Sequence, residues 1–288
     1  MNKNQKKKNH INSFEIPKVI LLTAKVLQFI SNNLATRFAA KIFGTPLKFN
    51  APDRELMMRE SAKKELFDIP SNKKKVMVYT YGYSKKKVLL AHGWAGRGTQ
   101  LFQLADKILE NKMMVISFDA PAHGLSSGNT TSMTEFIETI QQVNKKYGPF
   151  DAAIGHSFGG MALLNSVASG LNINKLVTIG ADNSIPQIFK YFVDKIGLKP
   201  VIALHLELFF EKKYNANIDC YTSEKAARKV LIPTLIVHDS EDKFVPVSSA
   251  ISIRQNLKNG ELLVTNGLGH HKIFKDNYII QRIIDFIK

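Results

Sequence analysis

The chain of 288 residues contains a single cysteine, Cys220. No intrachain disulfide can form, so folding does not depend on an oxidising compartment and a cytoplasmic setting suits the protein. Cys220 sits in Asn217-Ile218-Asp219-Cys220-Tyr221-Thr222 with no glycine-rich turn beside it, the context of a buried or idle thiol rather than a nucleophile. No spaced set of His, Cys and carboxylate residues suggests a metal site, and no cofactor is expected. Acidic residues are also scarce, 24 against 40 basic ones, which leaves a formal charge of +16. That excess invites a nucleic-acid or anionic-membrane partner, so its distribution matters. Residues 1–50 hold nine Lys and Arg against Glu15 alone, half of the whole excess. The rest is dispersed, with clusters at Lys73 to Lys75 and Lys85 to Lys87 that read as solvated turns, so nucleic acid is not an expected partner.

A long uninterrupted apolar run is missing too. The stretch from Ile16 to Phe43 is strongly apolar, but Lys18 and Lys25 interrupt it. A membrane span needs about 20 apolar residues in a row, and a signal peptide needs a clean core followed by a small-residue cleavage site; neither is present. Lys18, Lys25, Gln28, Asn32 and Thr36 recur three to seven residues apart, which predicts a narrow polar stripe on a helix. Pro17 suits a helix start and Gly44-Thr45-Pro46 a stop. Residues 1–12 therefore read as a basic disordered tail and 13–50 as an amphipathic helical leader. Packing of that leader on the domain is the simpler reading. Peripheral association of residues 1–43 with the inner membrane surface is the sharper one. Nothing in the sequence sets an oligomeric state.

What the chain does have is a globular composition, 44% hydrophobic and 22% charged, and an alternating pattern beyond Pro46. Leu66 to Ile69, Val76 to Tyr81, Lys87 to Ala91, Met113 to Phe118, Ala152 to Gly155, Lys175 to Ile179, Thr234 to His238 and Glu261 to Thr265 read as strands. Helical patterns lie at Leu101 to Glu110, Met133 to Tyr147, Phe158 to Ala168, Val247 to Leu257 and Asp276 to Ile287. Short apolar strands alternating with amphipathic helices predict an α/β domain over 51–288, a mostly parallel sheet with helices on both faces. Between Ala181 and Lys229 the alternation fails, and helix-like pieces predict a small helical lid at about 182–229 over the sheet's carboxyl edge, where ligands of open α/β sheets bind. Ile185, Ile188, Phe189, Phe192, Leu206, Phe209 and Phe210 exceed what short helices need for one packed face. Some of them are expected to line an apolar acyl pocket, a lid core being the alternative.

Gly155-His156-Ser157-Phe158-Gly159-Gly160 matches G-x-S-x-G between a strand and a helix, the context that motif requires. Gly155 and Gly159 permit a turn too tight for a β-carbon, which holds up the Ser157 hydroxyl, and the helix amino terminus favours negative charge. An ordinary glycine-rich turn is the competing reading. A serine hydroxyl needs a base within hydrogen-bond reach and a third group to fix that base's tautomer. Asp242 and His270 follow Ser157 in the order this arrangement uses, each just past a predicted strand. Asp239 and Glu241 compete with Asp242, and His271 with His270; the D-x-x-V-P pattern and the Gly-His step favour Asp242 and His270. His10, His123, His205 and His238 read as surface or structural. Oxyanion donors would be the backbone N–H of Phe158 and, from the early loop His92-Gly93-Trp94, that of Trp94, with His92, Gly93 and His156 as support.

Together these motifs resemble the α/β-hydrolase superfamily from about residue 65 to the carboxyl end. Asp119-Ala120-Pro121-Ala122-His123-Gly124-Leu125-Ser126 is similar to that superfamily's D-x-x-G-x-G-x-S segment, with His123 at the middle glycine position. HGWAGRGTQ, DAPAHG, GHSFGG and GLGHHKI resemble a bacterial subgroup known as hydrolases without an assigned substrate. The resemblance implies the fold and a serine triad but no substrate; a small-molecule carboxylic ester or thioester, cleaved through an acyl-enzyme intermediate, is the leading expectation. A serine at the elbow separates the chain from the epoxide and haloalkane branches, which carry aspartate there. A peptidase, lactonase, carbon-carbon bond hydrolase or perhydrolase would use the same residues. The competing class is a membrane-surface or nucleic-acid binding protein on a retained hydrolase scaffold.

Overall fold

A computed structural model describes residues 16–71 and 73–288. Its eight strands are β1 (Lys63–Ile69), β2 (Lys74–Tyr81), β3 (Lys87–Ala91), β4 (Met114–Phe118), β5 (Phe150–His156), β6 (Ile173–Ile179), β7 (Thr234–Asp239) and β8 (Gly260–Thr265). They form one sheet in the order β1-β2-β4-β3-β5-β6-β7-β8. The first two pairings are antiparallel and every later one is parallel. The register sets Ala91 beside Gly155, His156 beside Ile179 and Asp239 beside Thr265, so the carboxyl ends of β3, β5, β6, β7 and β8 lie along one edge.

The central strands Val88 to Ala91, Leu176 to Ile179 and Leu235 to Val237 are buried on both faces throughout, as a parallel sheet between helices requires. The helices are α1 (Lys18–Ile30), α2 (Asn32–Gly44), α3 (Leu56–Ser61), α4 (Phe102–Glu110), α5 (Met133–Tyr147), α6 (Phe158–Ala168), α7 (Ile185–Lys195), α8 (Val201–Tyr214), α9 (Ser223–Ala227), α10 (Val247–Asn256), α11 (Gly269–Lys272) and α12 (Asn277–Ile287). One core layer contains Leu104 and Ile108 of α4 with Ile280, Ile283 and Ile287 of α12. The other joins α5, α6 and α10 to α1, α2 and the α7–α8 insertion.

Three expectations need correcting. Lys74 and Lys75 belong to β2 rather than to a solvated turn; the Lys74 ammonium donates to the Thr130 carbonyl at 2.7 Å and pairs with Glu135. Lys87 likewise opens β3 and donates to the Tyr147 carbonyl at 2.8 Å. Cys220 is exposed. The expected polar stripe over Lys18 to Thr36 is only partly exposed: Lys18, Lys25 and Asn32 face solvent, but Gln28 and Thr36 do not. Ser31, extended at φ −164° and ψ 132°, breaks the segment and caps α2, accepting from the Asn33 N–H at 3.2 Å. Thr36 is buried with its hydroxyl on the Asn32 carbonyl, while Val19, Leu22, Val26 and Phe29 face solvent. Small side chains, Ala24, Ala35, Ala39 and Ala40, make the packed face, where they let the helices approach the core closely. Residues 1–12, where a basic tail was expected, lie outside the described residues, as do 13–15 of the leader. Among the described residues no helix is long and apolar enough to cross a membrane.

Candidate active site

Ser157 stands between β5 and α6 with φ 53° and ψ −120°, a conformation that costs a non-glycine residue about 1–3 kcal/mol. Its surroundings enforce the turn. A β-carbon on Gly155 would lie 2.6 Å from the Gly159 carbonyl oxygen, and one on Gly159 would lie 2.4 Å from that of His92. A β-carbon on Gly93 would approach that of Ser157 to 3.1 Å, so the loop after β3 runs directly against the elbow. The Ser157 N–H donates to the Ile179 carbonyl at 2.8 Å, tying the elbow to the end of β6.

His270 is brought to the same place from the far end of the chain. Its ring lies over Gly180, the residue after β6, where a β-carbon would meet His270 Nδ1 at 3.2 Å. Gly180 adopts φ +60°, so a side chain there would be both strained and in the way. His270 Nδ1 donates to Asp242 Oδ2 at 2.6 Å. The other carboxylate oxygen of Asp242 accepts from the N–H groups of Phe244 (2.8 Å) and Val245 (3.0 Å). Burial pushes the Asp242 carboxyl up, but the hydrogen bond and charge of His270 and the two amides outweigh it and hold the group below its usual range. Because Asp242 accepts at Nδ1, Nε2 is left free to take a proton.

The competitors separate. Asp239 is buried, and its carboxylate accepts from Thr265 Oγ1 (2.7 Å) and the N–H groups of Glu241 and Leu268 (3.0 Å each). It ties β7 to β8 and to the loop that carries His270. Glu241 and His271 are exposed, whereas His270 is buried. His238 donates from Nε2 to the Val245 carbonyl at 3.0 Å and lies 3.7 Å from Asp242, packed behind the acid. His156 Nε2 donates to the His270 carbonyl at 3.0 Å, so the elbow holds the histidine's main chain as well. Burial and the neighbouring His270 push His156 well below its ordinary pKa, which keeps it neutral. Among the described residues the Ser157 hydroxyl has no hydrogen-bond partner; in enzymes without substrate that contact is often long.

The loop after β3 is held from several sides. His92 Nδ1 donates to the Gly93 carbonyl (2.7 Å) and its Nε2 accepts from the Ala120 N–H (2.9 Å). His123 Nε2 accepts from the N–H of Ala95 (3.0 Å), which sits at φ 56°. The buried Asp119 carboxylate accepts from Gly98 N–H (2.6 Å), Leu125 N–H (2.7 Å) and the Tyr79 hydroxyl (3.0 Å). Glu55 takes a two-pronged pair from Arg97 (2.7 and 2.9 Å) and a bond from Thr99 (2.7 Å). With these contacts made, the N–H groups of Trp94 and Phe158 have no acceptor among the described residues, and both flank Ser157. Sequence reasoning missed Glu55 and Arg97 entirely, since nothing local links them. Asp119 was placed by resemblance alone, whereas His123, read as surface or structural, is buried and structural.

Beside the elbow lies an apolar cavity whose wall includes Phe43, Trp94, Phe158, Ile185, Phe189 and Phe210. Ile188 also contributes; of the seven insertion residues named from sequence, Leu206 is in the core, and Phe192 and Phe209 pack against it without lining the cavity. Phe43, which comes from α2, was not foreseen as a wall residue. It stacks on Trp94 with centroids 5.9 Å apart and meets Phe189 edge-on at 4.8 Å. Among the described residues no group of three His, Cys, Asp or Glu side chains is placed to hold a metal ion.

A serine on a strained strand-to-helix turn, with an Asp–His pair at the same edge of this sheet, defines an α/β-hydrolase type of protein. The chain belongs to the alpha/beta hydrolase family, whose model matches residues 88–273. Among solved structures it resembles an esterase from Exiguobacterium antarcticum, at 16% identity over 77% of this chain and 98% of that one, with TM-score 0.61. A bromoperoxidase from Bacillus anthracis matches at 18% identity over 78% of this chain and 99% of that one, TM-score 0.62. A membrane phospholipase A that is a bacterial virulence factor matches at 17% identity over 94% of this chain and 98% of that one, TM-score 0.63. At such identities the likeness is one of fold. No curated protein sequence matches the chain.

Proposed function

We propose that this protein is a serine hydrolase that cleaves a carboxylic ester or thioester through an acyl-enzyme. The observation that carries the reading is the 2.6 Å hydrogen bond from His270 to Asp242, made over Gly180 beside the Ser157 elbow. Ser157 Oγ attacks the substrate carbonyl carbon as His270 Nε2 takes its proton, and the Asp242 carboxylate stabilises the imidazolium. The carbonyl oxygen becomes an oxyanion held by the N–H groups of Trp94 and Phe158. The bond to the leaving alcohol or thiol breaks as His270 returns the proton to it. Water, deprotonated by the same histidine, then releases the acid and restores Ser157.

The apolar cavity takes the acyl chain, and the 182–229 insertion acts as the lid above it. An exposed single thiol and the want of a disulfide suit a reducing, cytoplasmic location. A fluorophosphonate probe tests the mechanism, because only an activated serine attacks phosphorus quickly. It is expected to label the protein once, at Ser157, with labelling lost in Ser157→Ala and much reduced in His270→Ala. Undiminished labelling of Ser157→Ala would sink the assignment. A panel of p-nitrophenyl esters of rising chain length and of acyl-CoA thioesters, each run against Ser157→Ala, identifies the substrate class.

A further inference from the structure

The helix α1 turns an apolar face to solvent. Val19, Leu22, Val26, Phe29 and Ile30 are exposed, Phe29 at 94%, although they are the kind of side chain a fold normally buries. At 3.6 residues per turn the five fall within about 100° of arc. Ala24 lies on the opposite side and packs into the core, so this face is left over after the fold is complete. Gln28 of α1 accepts from the N–H of Lys199, just before α8, at 3.0 Å, and α8, which packs on α2, itself leaves Val201, Leu204 and Leu208 exposed. An apolar area of this kind marks a docking surface.

The surrounding charge indicates what docks. Lys18 and Lys25 flank the face along α1, Arg37 and Lys41 follow on α2, and no acidic residue occurs between Glu15 and Asp53. On α8, Glu211 is occupied by the Ile218 N–H at 3.1 Å, and burial raises the Glu207 carboxyl above its ordinary range. A second copy of this chain fits poorly, because a two-fold pairing of such faces sets lysines against lysines. The 13 residues of α1 reach about 20 Å, less than the roughly 30 Å of a bilayer's hydrocarbon core, so the helix can lie in a lipid surface and cannot span it.

We propose that the exposed apolar face of α1, with its flanking lysines, docks this protein on the surface of an anionic lipid bilayer. The apolar arc enters the boundary between headgroups and acyl chains while the lysines meet the lipid charge. Through Ser31 the docked helix continues into α2, which carries Phe43 into the cavity wall.

Flotation of the full chain with phosphatidylcholine vesicles, with and without phosphatidylglycerol, tests this. The protein is expected to float with the phosphatidylglycerol vesicles only and to be released by added salt. Joint replacement Leu22→Ser and Phe29→Ser is expected to weaken binding about tenfold or more, whereas Leu22→Met with Phe29→Leu restores it. Melting temperature and circular dichroism control for folding, so the outcome does not depend on whether Ser157 is the nucleophile. The proposal is overturned if phosphatidylglycerol vesicles leave the protein unbound, if neutral vesicles bind it equally, or if the serine pair binds as the original does. It is also overturned if sedimentation shows a stable dimer that the serine pair dissociates, which would make the face a subunit interface.

Discussion

Asp242 and Asp239 stand three residues apart, each with a fully engaged carboxylate, yet one faces His270 and the other faces the backbone that presents it. Their amides should therefore fail differently. Asp242→Asn is expected to lower kcat by about three to four orders of magnitude with KM little changed, since the tautomer and the imidazolium both lose their partner. Asp239→Asn is expected to lower the melting temperature first, because it leaves buried donors on Thr265 and Leu268 poorly matched. Ester turnover and melting curves on both variants check this, and a larger kcat loss in Asp239→Asn would reverse the roles. His123 supplies a pH dependence. Burial drives its pKa down to about 4 from an ordinary 6.5. Between those values the unfolded chain binds a proton that the folded chain does not, so stability falls as pH drops from 6.5 and levels off below 4. For this histidine alone the loss is on the order of 3 kcal/mol. His92 and His156, also pushed down by burial, act in the same direction. Urea midpoints from pH 7 to the acid side should show a slope that is shallower in His123→Gln; equal slopes would remove His123 as a source.

Element by element, the site depends on how closely backbones approach. The amino end of α6 fits under the end of β3 only because Gly159 has no side chain; a β-carbon there meets two carbonyl oxygens, at 2.4 and 2.5 Å, neither able to swing away. Gly159→Ala is expected to cost about 1–3 kcal/mol and to reduce fluorophosphonate labelling, read by thermal melting and by probe incorporation. The loop after β3 carries the chain's one tryptophan into the cavity wall, 5.4 Å from the Phe158 ring. Phosphonylation of Ser157 is accordingly expected to change Trp94 emission and to leave the Ser157→Ala spectrum unchanged, while Trp94→Phe retains most activity because the proposed donor is a main-chain amide. In the insertion, Phe189 and Phe210 stack with centroids 5.5 Å apart against the cavity. Truncating both to Ala should move the preferred ester toward longer acyl chains; a wild type that strongly prefers acetyl over hexanoyl esters would count against an acyl pocket.

For the molecule as a whole, the strand-helix alternation was legible because each element carries its own period: β3, β6 and β7 are short apolar runs and α12 repeats isoleucine at helical spacing. Ser157 and His270 were singled out because glycines mark their turns, and Asp242 because the D-x-x-V-P pattern follows a strand. Strand starts were less so, since polar residues such as Lys63 and Lys74 carry no apolar signal and join the ladder through the pairing of β1 with β2. The face that α1 turns outward could not be read from hydropathy, because Ser31 resets the helical phase and alanines, not the large residues, make the contact. Glu55 and Arg97, 42 positions apart, meet only in the folded chain. One consequence of the aromatic contact made by Phe43 concerns how such a protein diversifies. That side chain belongs to a segment outside the 88–273 stretch matched by the family model, yet it forms part of the wall of the apolar cavity beside the elbow. If the acyl chain rests in that cavity, as proposed, exchanging the first two helices between related hydrolases should shift chain-length selectivity while leaving the sheet and Ser157, Asp242 and His270 in place.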